Sequence, residues 1–188
     1  PTIELWFRTS CDSAYVWNAA KENFRIEENG EEVEAFTLWC PDPTHTPVSV
    51  AFALDASASM KAAEDSGIAG GRAFINAFDS TSDEAAIVYY NDQVDVRQRM
   101  TTSKSALYAA MDAYPADGDA RLWDGLHAAI SELITSSVNQ TRAVILLADS
   151  PDQGSQESQE SILALAWRNR VPIHTIGIGD AVDSASLK

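Results

Sequence analysis

The sequence predicts an α/β protein: a doubly wound, mostly parallel sheet with helices on both faces, preceded by a small N-terminal β appendage. Three observations lead there. From Val48 to Ile178, strand-length apolar runs alternate with helix-period segments, the order that packs as a parallel sheet between helices. Two of those runs, Val48–Leu54 and Val144–Ala148, are each followed at once by an aspartate, Asp55 and Asp149. Residues before 41 show period-two and hairpin patterning instead, so they form a separate piece.

In that first piece Ile3, Leu5 and Phe7 alternate with Glu4 and Trp6, the period of a strand. Phe24–Glu28 and Glu31–Phe36 flank Asn29-Gly30. Asn-Gly supplies positive φ at low cost and is the strongest short hairpin signal. Pro41, Pro43 and Pro47 then break regular structure. The expected organisation is an N-terminal β segment over 1–40, a linker over 41–47 and a main domain over 48–188. So few strands do not make an independent sandwich, and Trp6, Trp17 and Trp39 suit packing of the segment on something else.

The main domain reads in order. Val48–Leu54 is a buried strand, and a helix covers about 66–78 with Ile68, Phe74, Ile75 and Phe78 for the core. Ala85–Tyr90 is the next strand, Asn91-Asp92 a turn, and Val94 and Val96 mark a short returning edge strand. Helices follow at about 104–113 and 122–136, a central strand at 142–148, a helix at 157–169 and a strand at 171–178.

The composition removes some functions. A net charge of -15 argues against nucleic acid or anionic membrane as the partner, because phosphate binding needs a basic face. It suits a site that attracts cations, and equally plain solubility. No apolar run approaches the roughly 20 residues of a membrane span. Gly67–Arg72 lacks the lysine and hydroxyl of a phosphate loop, and no Gly-x-Ser-x-Gly elbow is present. His45, His127 and His174 are scattered. Asn139-Gln140-Thr141 is a glycosylation triplet, a pattern common by chance.

The chemistry concentrates in Asp55-Ala56-Ser57-Ala58-Ser59. A strand ends and oxygen-bearing side chains come next on alternate residues. In an extended segment such side chains point the same way, so a carboxylate and two hydroxyls converge at the sheet's mouth. Hard divalent cations take that donor set. In open α/β sheets ligands bind at the carboxyl ends of strands, where the strand order reverses. Asp55 and Asp149 both fall there.

This Asp-x-Ser-x-Ser stretch after a hydrophobic strand, with the second strand-aspartate at Asp149 and the late strand Val171–Gly179, resembles the metal-ion-dependent adhesion site of von Willebrand factor type A domains. The resemblance runs from about Val48 to the end of the sequence. It implies that Ser57 and Ser59 bind a divalent ion directly, that Asp55 and Asp149 hold it directly or through water, and that an acidic side chain of a partner completes the shell. Magnesium is the implied ion, with manganese or calcium as substitutes. A carboxylate-bearing macromolecule is the implied partner. The family also supplies a threonine, and the matching position here is Ala120, whose methyl cannot ligate. Asp117 or Asp119 replaces that oxygen after a small loop shift, or Arg121 occupies the site electrostatically. The family's sheet continues with a further helix and strand, so the resemblance implies a larger polypeptide.

Three functional classes are consistent with these residues: a non-enzymatic adhesion module using the ion, a degenerate domain serving as an assembly scaffold, and, more remotely, a metal-dependent phosphoryl hydrolase. Haloacid-dehalogenase-like phosphatases want a second carboxylate two residues after the first, where this chain has Ser57. Cys11 and Cys40 fit no zinc spacing. A disulfide between them implies an extracellular, cell-surface or periplasmic setting. Two free thiols in an intracellular protein are the other reading, since intracellular members of the family share the motif.

Overall fold

The computed structural model describes residues 10–11, 14–15, 20–38 and 46–178. The chain divides into two compact units, Pro1–Thr46 and Pro47–Lys188.

In the first unit β1 (Ser10–Cys11) pairs antiparallel with β2 (Ala14–Tyr15), and β3 (Glu27–Glu28) with β4 (Glu31–Glu32). The second hairpin turns where Asn-Gly demands it: Asn29 has φ 54° and Gly30 φ 86°, the doubly left-handed geometry of a type I′ turn. Its strands are shorter than the sequence suggests. Beyond Glu32 the register continues only as Val33 N–H donating to the Ile26 carbonyl at 2.9 Å. The strand expected around Ile3–Phe7, the tryptophans Trp6, Trp17 and Trp39, and Cys40 lie outside the described residues.

The second unit contains β5 (Val48–Asp55), α1 (Glu64–Asn76), β6 (Glu84–Tyr90), β7 (Val94–Thr101), α2 (Lys104–Met111), α3 (Leu122–Ser136), β8 (Thr141–Ala148), α4 (Gln159–Arg168) and β9 (Ile173–Gly177). The sheet order is β7-β6-β5-β8-β9, with only the β6–β7 pair antiparallel. The chain moves outward from β5 on one side and returns to β8 on the other. β5 and β8 therefore flank the point where strand order reverses, and their carboxyl ends share one edge.

The two sheet faces split the core by the period-two rule. Ala51, Ala53, Val88, Tyr90, Val144 and Leu146 face α3 and α4. Val50, Phe52, Leu54, Ile87, Tyr89, Ile145 and Leu147 pack with α1 and α2 residues such as Ile75, Leu107 and Met111, and with Met60 of the turn before α1. On this second face, among the described residues, an apolar groove of about 370 Å³ runs past Val50, Phe74, Ile145, His174 and Ile176, and Ile176 is 51% exposed.

Some boundaries differ from the sequence reading. The first helix begins at Glu64, after a 3₁₀ turn over Ala58–Ala62, and ends at Asn76. The anticipated end at 78 is taken up by tighter bonds, Ala77 N–H to Phe74 and Phe78 N–H to Ile75, each 3.1 Å. β7 is a full eight residues, because its polar residues Asp95, Arg97 and Arg99 lie on the exposed face. Gly67–Arg72, weighed as a phosphate loop, lies inside α1.

The amino ends of the strands are closed by a polar knot. Ser49 Oγ donates to Glu84 Oε1 at 2.7 Å, and Val138 N–H donates to the same oxygen at 2.7 Å. Asn139 Nδ2 donates to the carbonyls of Val48 at 3.1 Å and Ser82 at 2.9 Å. The amide of the glycosylation triplet is thus already committed to the fold.

α3 passes so close to β6 that only glycine fits at 125. A Cβ there meets Tyr90 Cβ at 2.7 Å and its ring carbons at 2.6 Å, and Tyr90 is pinned by its hydroxyl donating to the Leu147 carbonyl at 2.9 Å. Gly125→Ala is expected to lower stability by about 1–3 kcal/mol, the cost of overpacking, despite alanine's better helix propensity. Denaturant titration measures it, and an unchanged midpoint contradicts this packing.

Candidate functional site

The site is built where β5 and β8 end side by side. Asp55 is the last residue of β5 and has no exposed surface. A buried carboxylate needs hydrogen bonds. Its Oδ1 accepts from the Ser57 N–H at 2.9 Å and its Oδ2 from the Asp149 N–H at 3.4 Å. The second bond ties the tip of β5 to the residue just beyond β8. Burial raises the Asp55 pKa above the ordinary 3.8, and the nearby Asp149 charge adds to the rise, while the bonds from Ser57 and Asp149 oppose it.

The hydroxyls complete a chain of oxygens. Ser57 Oγ lies 3.0 Å from Ser59 Oγ, and Ser59 Oγ donates to Asp149 Oδ1 at 2.9 Å. The sequence pattern places both serines on an extended segment. Only Ser57 is extended (φ -69°, ψ 163°), and Ser59 reaches the cluster from inside the 3₁₀ turn. The tighter turn brings the two hydroxyls together. Ser57 is buried and Ser59 exposed, so the cluster opens to solvent on the Ser59 side. Next to Asp149, Ser150 Oγ is buried with no hydrogen-bond partner among the described residues, an orphan that a site for a bound species would account for.

A third loop lies against the motif. Asp117 N–H donates to the Ala56 carbonyl and Ala58 N–H to the Gly118 carbonyl, both at 2.9 Å. The Tyr114 hydroxyl donates to the Asp55 carbonyl. Burial holds that phenol protonated well above its usual range. Asp119 is exposed on this loop, and its N–H donates to Asp92 Oδ1 at 3.1 Å. Among the described residues no hydrogen bond joins the Asp119 carboxylate, or the Arg121 side chain, to Asp55, Ser57, Ser59 or Asp149. Ala120 is fully buried.

Several residues here have no counterpart among the sequence-predicted ones. Gln153 Oε1 accepts the Ala120 N–H at 3.2 Å, and its own N–H donates to the Ala120 carbonyl at 2.7 Å. Ser155 Oγ accepts the N–H groups of Trp123 at 3.0 Å and Asp124 at 3.2 Å, capping α3 from another loop. Asp124 Oδ1 in turn accepts from the N–H groups of Gln156 and Glu157 at 2.9 Å. Adjacent polar residues at 152–156 are the only sequence signal, and an ordinary loop gives the same one.

His127 and His174 are both exposed, on α3 and β9. Among the described residues no group of three or more His, Cys, Asp or Glu side chains is placed to hold a metal. The oxygen cluster is of another kind, two carboxylates and two hydroxyls. Its composition fits a hard cation. Oxygens adjacent in a magnesium octahedron with 2.0–2.1 Å bonds lie roughly 2.8–3.0 Å apart, the range of the Ser57–Ser59 and Ser59–Asp149 separations, 3.0 and 2.9 Å.

Comparison with known proteins agrees with this architecture. Residues 49–188 match the von Willebrand factor type A domain, and the chain belongs to that family. Proximal thread matrix protein 1 from the mussel byssus is similar at 25% identity and TM-score 0.68, covering 76% of this chain and 38% of that one. A second structure of that protein has a zinc-occupied metal-ion-dependent adhesion site motif (24% identity, TM-score 0.65). A von Willebrand factor type A protein from Catenulispora acidiphila shares the fold at 22% identity and TM-score 0.59, over 76% of this chain and 35% of that one. So does the type V pili tip protein of Porphyromonas gingivalis, at 22% identity and TM-score 0.54, over 61% and 22%. The chain spans less than half the length of each of these proteins. No curated protein matches it.

The raised pKa of Asp55 has a signed consequence. The folded protein holds this proton more tightly than the unfolded chain, so its contribution favours folding at low pH and is lost as pH rises through the raised value. In metal-free buffer the stability of the wild type, relative to Asp55→Asn, is expected to fall across that window. Thermal melts over an acid pH series test it, and parallel curves count against a perturbed Asp55.

Proposed function

We propose that this von Willebrand factor type A domain is a non-catalytic binding module that recognises a carboxylate-bearing macromolecule through a divalent cation. Magnesium is the proposed ion, with manganese or calcium able to replace it. The supporting observation is the run of oxygens from Ser57 through Ser59 to Asp149, spaced at 3.0 and 2.9 Å beside the buried Asp55. Asp55, Ser57, Ser59 and Asp149 would hold the ion. When bound, it supplies a positive centre with a coordination position open to an acidic oxygen of the partner.

The chain's own residues do the preparatory work. Asp55 and Asp149 bring two negative charges to match one divalent ion, and the serine hydroxyls add oxygens without charge. The peptide N–H groups of Ser57 and Asp149 orient the Asp55 carboxylate. With Ala120 where the family has a threonine, that position gives no hydroxyl to the oxygen cluster. Asp119 would serve as an additional ligand only by swinging inward from its exposed position. The likeness to a byssus matrix protein and a pilus tip protein supports an extracellular or surface setting within a longer polypeptide; in such a setting Cys11 and Cys40 would form a disulfide. No helix among the described residues is long and apolar enough to cross a membrane.

One observation favours a second reading, a scaffold with no working metal site. Ser57, Ser59 and Asp149 already satisfy one another by hydrogen bonds, and Ala120 contributes no oxygen. Titration with Mg²⁺ or Mn²⁺ separates the two. The adhesion reading expects a saturable rise in melting temperature, worth about 2.7 kcal/mol at 100 times Kd, abolished in Asp55→Ala. A flat response in the wild type leaves the scaffold. The setting is tested by intact mass: reduction is expected to add two hydrogens if Cys11 and Cys40 are bridged, and an unchanged mass removes the disulfide.

A further inference from the structure

The segment Tyr114–Ala120 is hydrogen-bonded to Asp55, Ala56 and Ala58, on both sides of Ser57. The Tyr114 hydroxyl is on the Asp55 carbonyl. Asp117 N–H donates to the Ala56 carbonyl and Ala58 N–H to the Gly118 carbonyl, both at 2.9 Å. The far end of the segment is held twice by Gln153, through Ala120 N–H to Oε1 at 3.2 Å and Gln153 N–H to the Ala120 carbonyl at 2.7 Å. Gln153 lies four residues after Asp149, on the loop leaving β8. The segment thus connects the backbone carrying the first two candidate ligands to the loop carrying the fourth.

Its middle has little freedom. Gly118 is left-handed at φ 74°, and the Asp92 carboxylate fills the space beside it: a Cβ at 118 would lie 2.7 Å from Asp92 Cγ. Asp92 Oδ1 also accepts the Asp119 N–H at 3.1 Å. Tyr114 is set by its ring, edge-on to Tyr89 at 5.1 Å and 80°. Small cations with strict geometry tolerate little ligand displacement, and the groups that orient ligands govern affinity.

We propose that Tyr114–Ala120 is a clamp that holds the cation site in its binding geometry by the chain's own hydrogen bonds, with Tyr114 and Gln153 as positioning residues. This rests on the cation-binding reading above and adds that the loops are assembled before any ion arrives. Tyr114→Phe removes one hydroxyl and keeps the ring. Gln153→Ala removes one acceptor, and Gln153→Glu restores it.

The test follows Mn²⁺ binding by electron paramagnetic resonance, with metal-free melting temperature and amide exchange alongside. Tyr114→Phe and Gln153→Ala are each expected to bind Mn²⁺ about 10-fold more weakly or worse, and Gln153→Glu to bind close to the wild type. In metal-free wild type the amides of Ala58, Asp117 and Ala120 are expected to be protected, and the variants to lose that protection locally. Lower melting temperature with unchanged Mn²⁺ affinity makes the two residues merely structural and overturns the proposal. So does fast exchange of those amides in the metal-free wild type. If the wild type takes up no Mn²⁺ while the amides stay protected and the variants release them, the cation reading fails and the clamp stands.

Discussion

Asp55 has to remain buried at the end of the central strand, and most of the surrounding structure answers to that requirement. An ionised carboxylate out of water is costly unless charge and hydrogen bonds compensate. Here two peptide N–H groups supply the bonds, one from the turn that follows β5 and one from the tip of β8. The first is local to the turn; the second exists only because β5 and β8 are parallel neighbours ending at the same level. The reversal of strand order, the tight turn after Asp55 and the packing of the third loop all bear on this one side chain. A cation at the site would offset the remaining cost.

Much of the scaffold was legible in the sequence. The α3 pattern matched over Leu122–Ser136, and the apolar runs marked β5, β6 and β8, because helix and strand periods depend on local residue spacing. The boundaries that moved had causes outside that spacing. The 3₁₀ turn at Ala58–Ala62 has no periodicity to betray it. β7 extended past Val96 because partnership with β6, not its own hydrophobicity, holds it as a strand.

The site divides in the same way. Asp55, Ser57, Ser59 and Asp149 stand out in the sequence because their types and spacing suit a hard cation, and the structure brings these four residues together. The groups that orient them do not. Tyr114, Asp92 and Gln153 act through backbone atoms of distant residues, and no residue pattern announces which carbonyl a hydroxyl will find. Asp119 stands beside Ala120 in the sequence and offers an oxygen in place of the missing threonine's. Its backbone lies in the loop that touches the motif, yet the residue is exposed, since the left-handed turn at Gly118 sets the direction of the next side chain.

At the opposite pole, the side-chain nitrogen of Asn139 donates to the carbonyls of Val48, in β5, and of Ser82, just before β6, at the base of the sheet. An oligosaccharide is joined to that same atom, and to an unfolded chain. Sugar addition at this triplet and closure of the sheet base would therefore compete for one nitrogen. Were the chain to pass through a glycosylating compartment and the triplet to be used, the occupied chains would lose these two bonds at the strand base. The choice of expression system would then bear on the homogeneity of this protein at the end of the sheet away from Asp55.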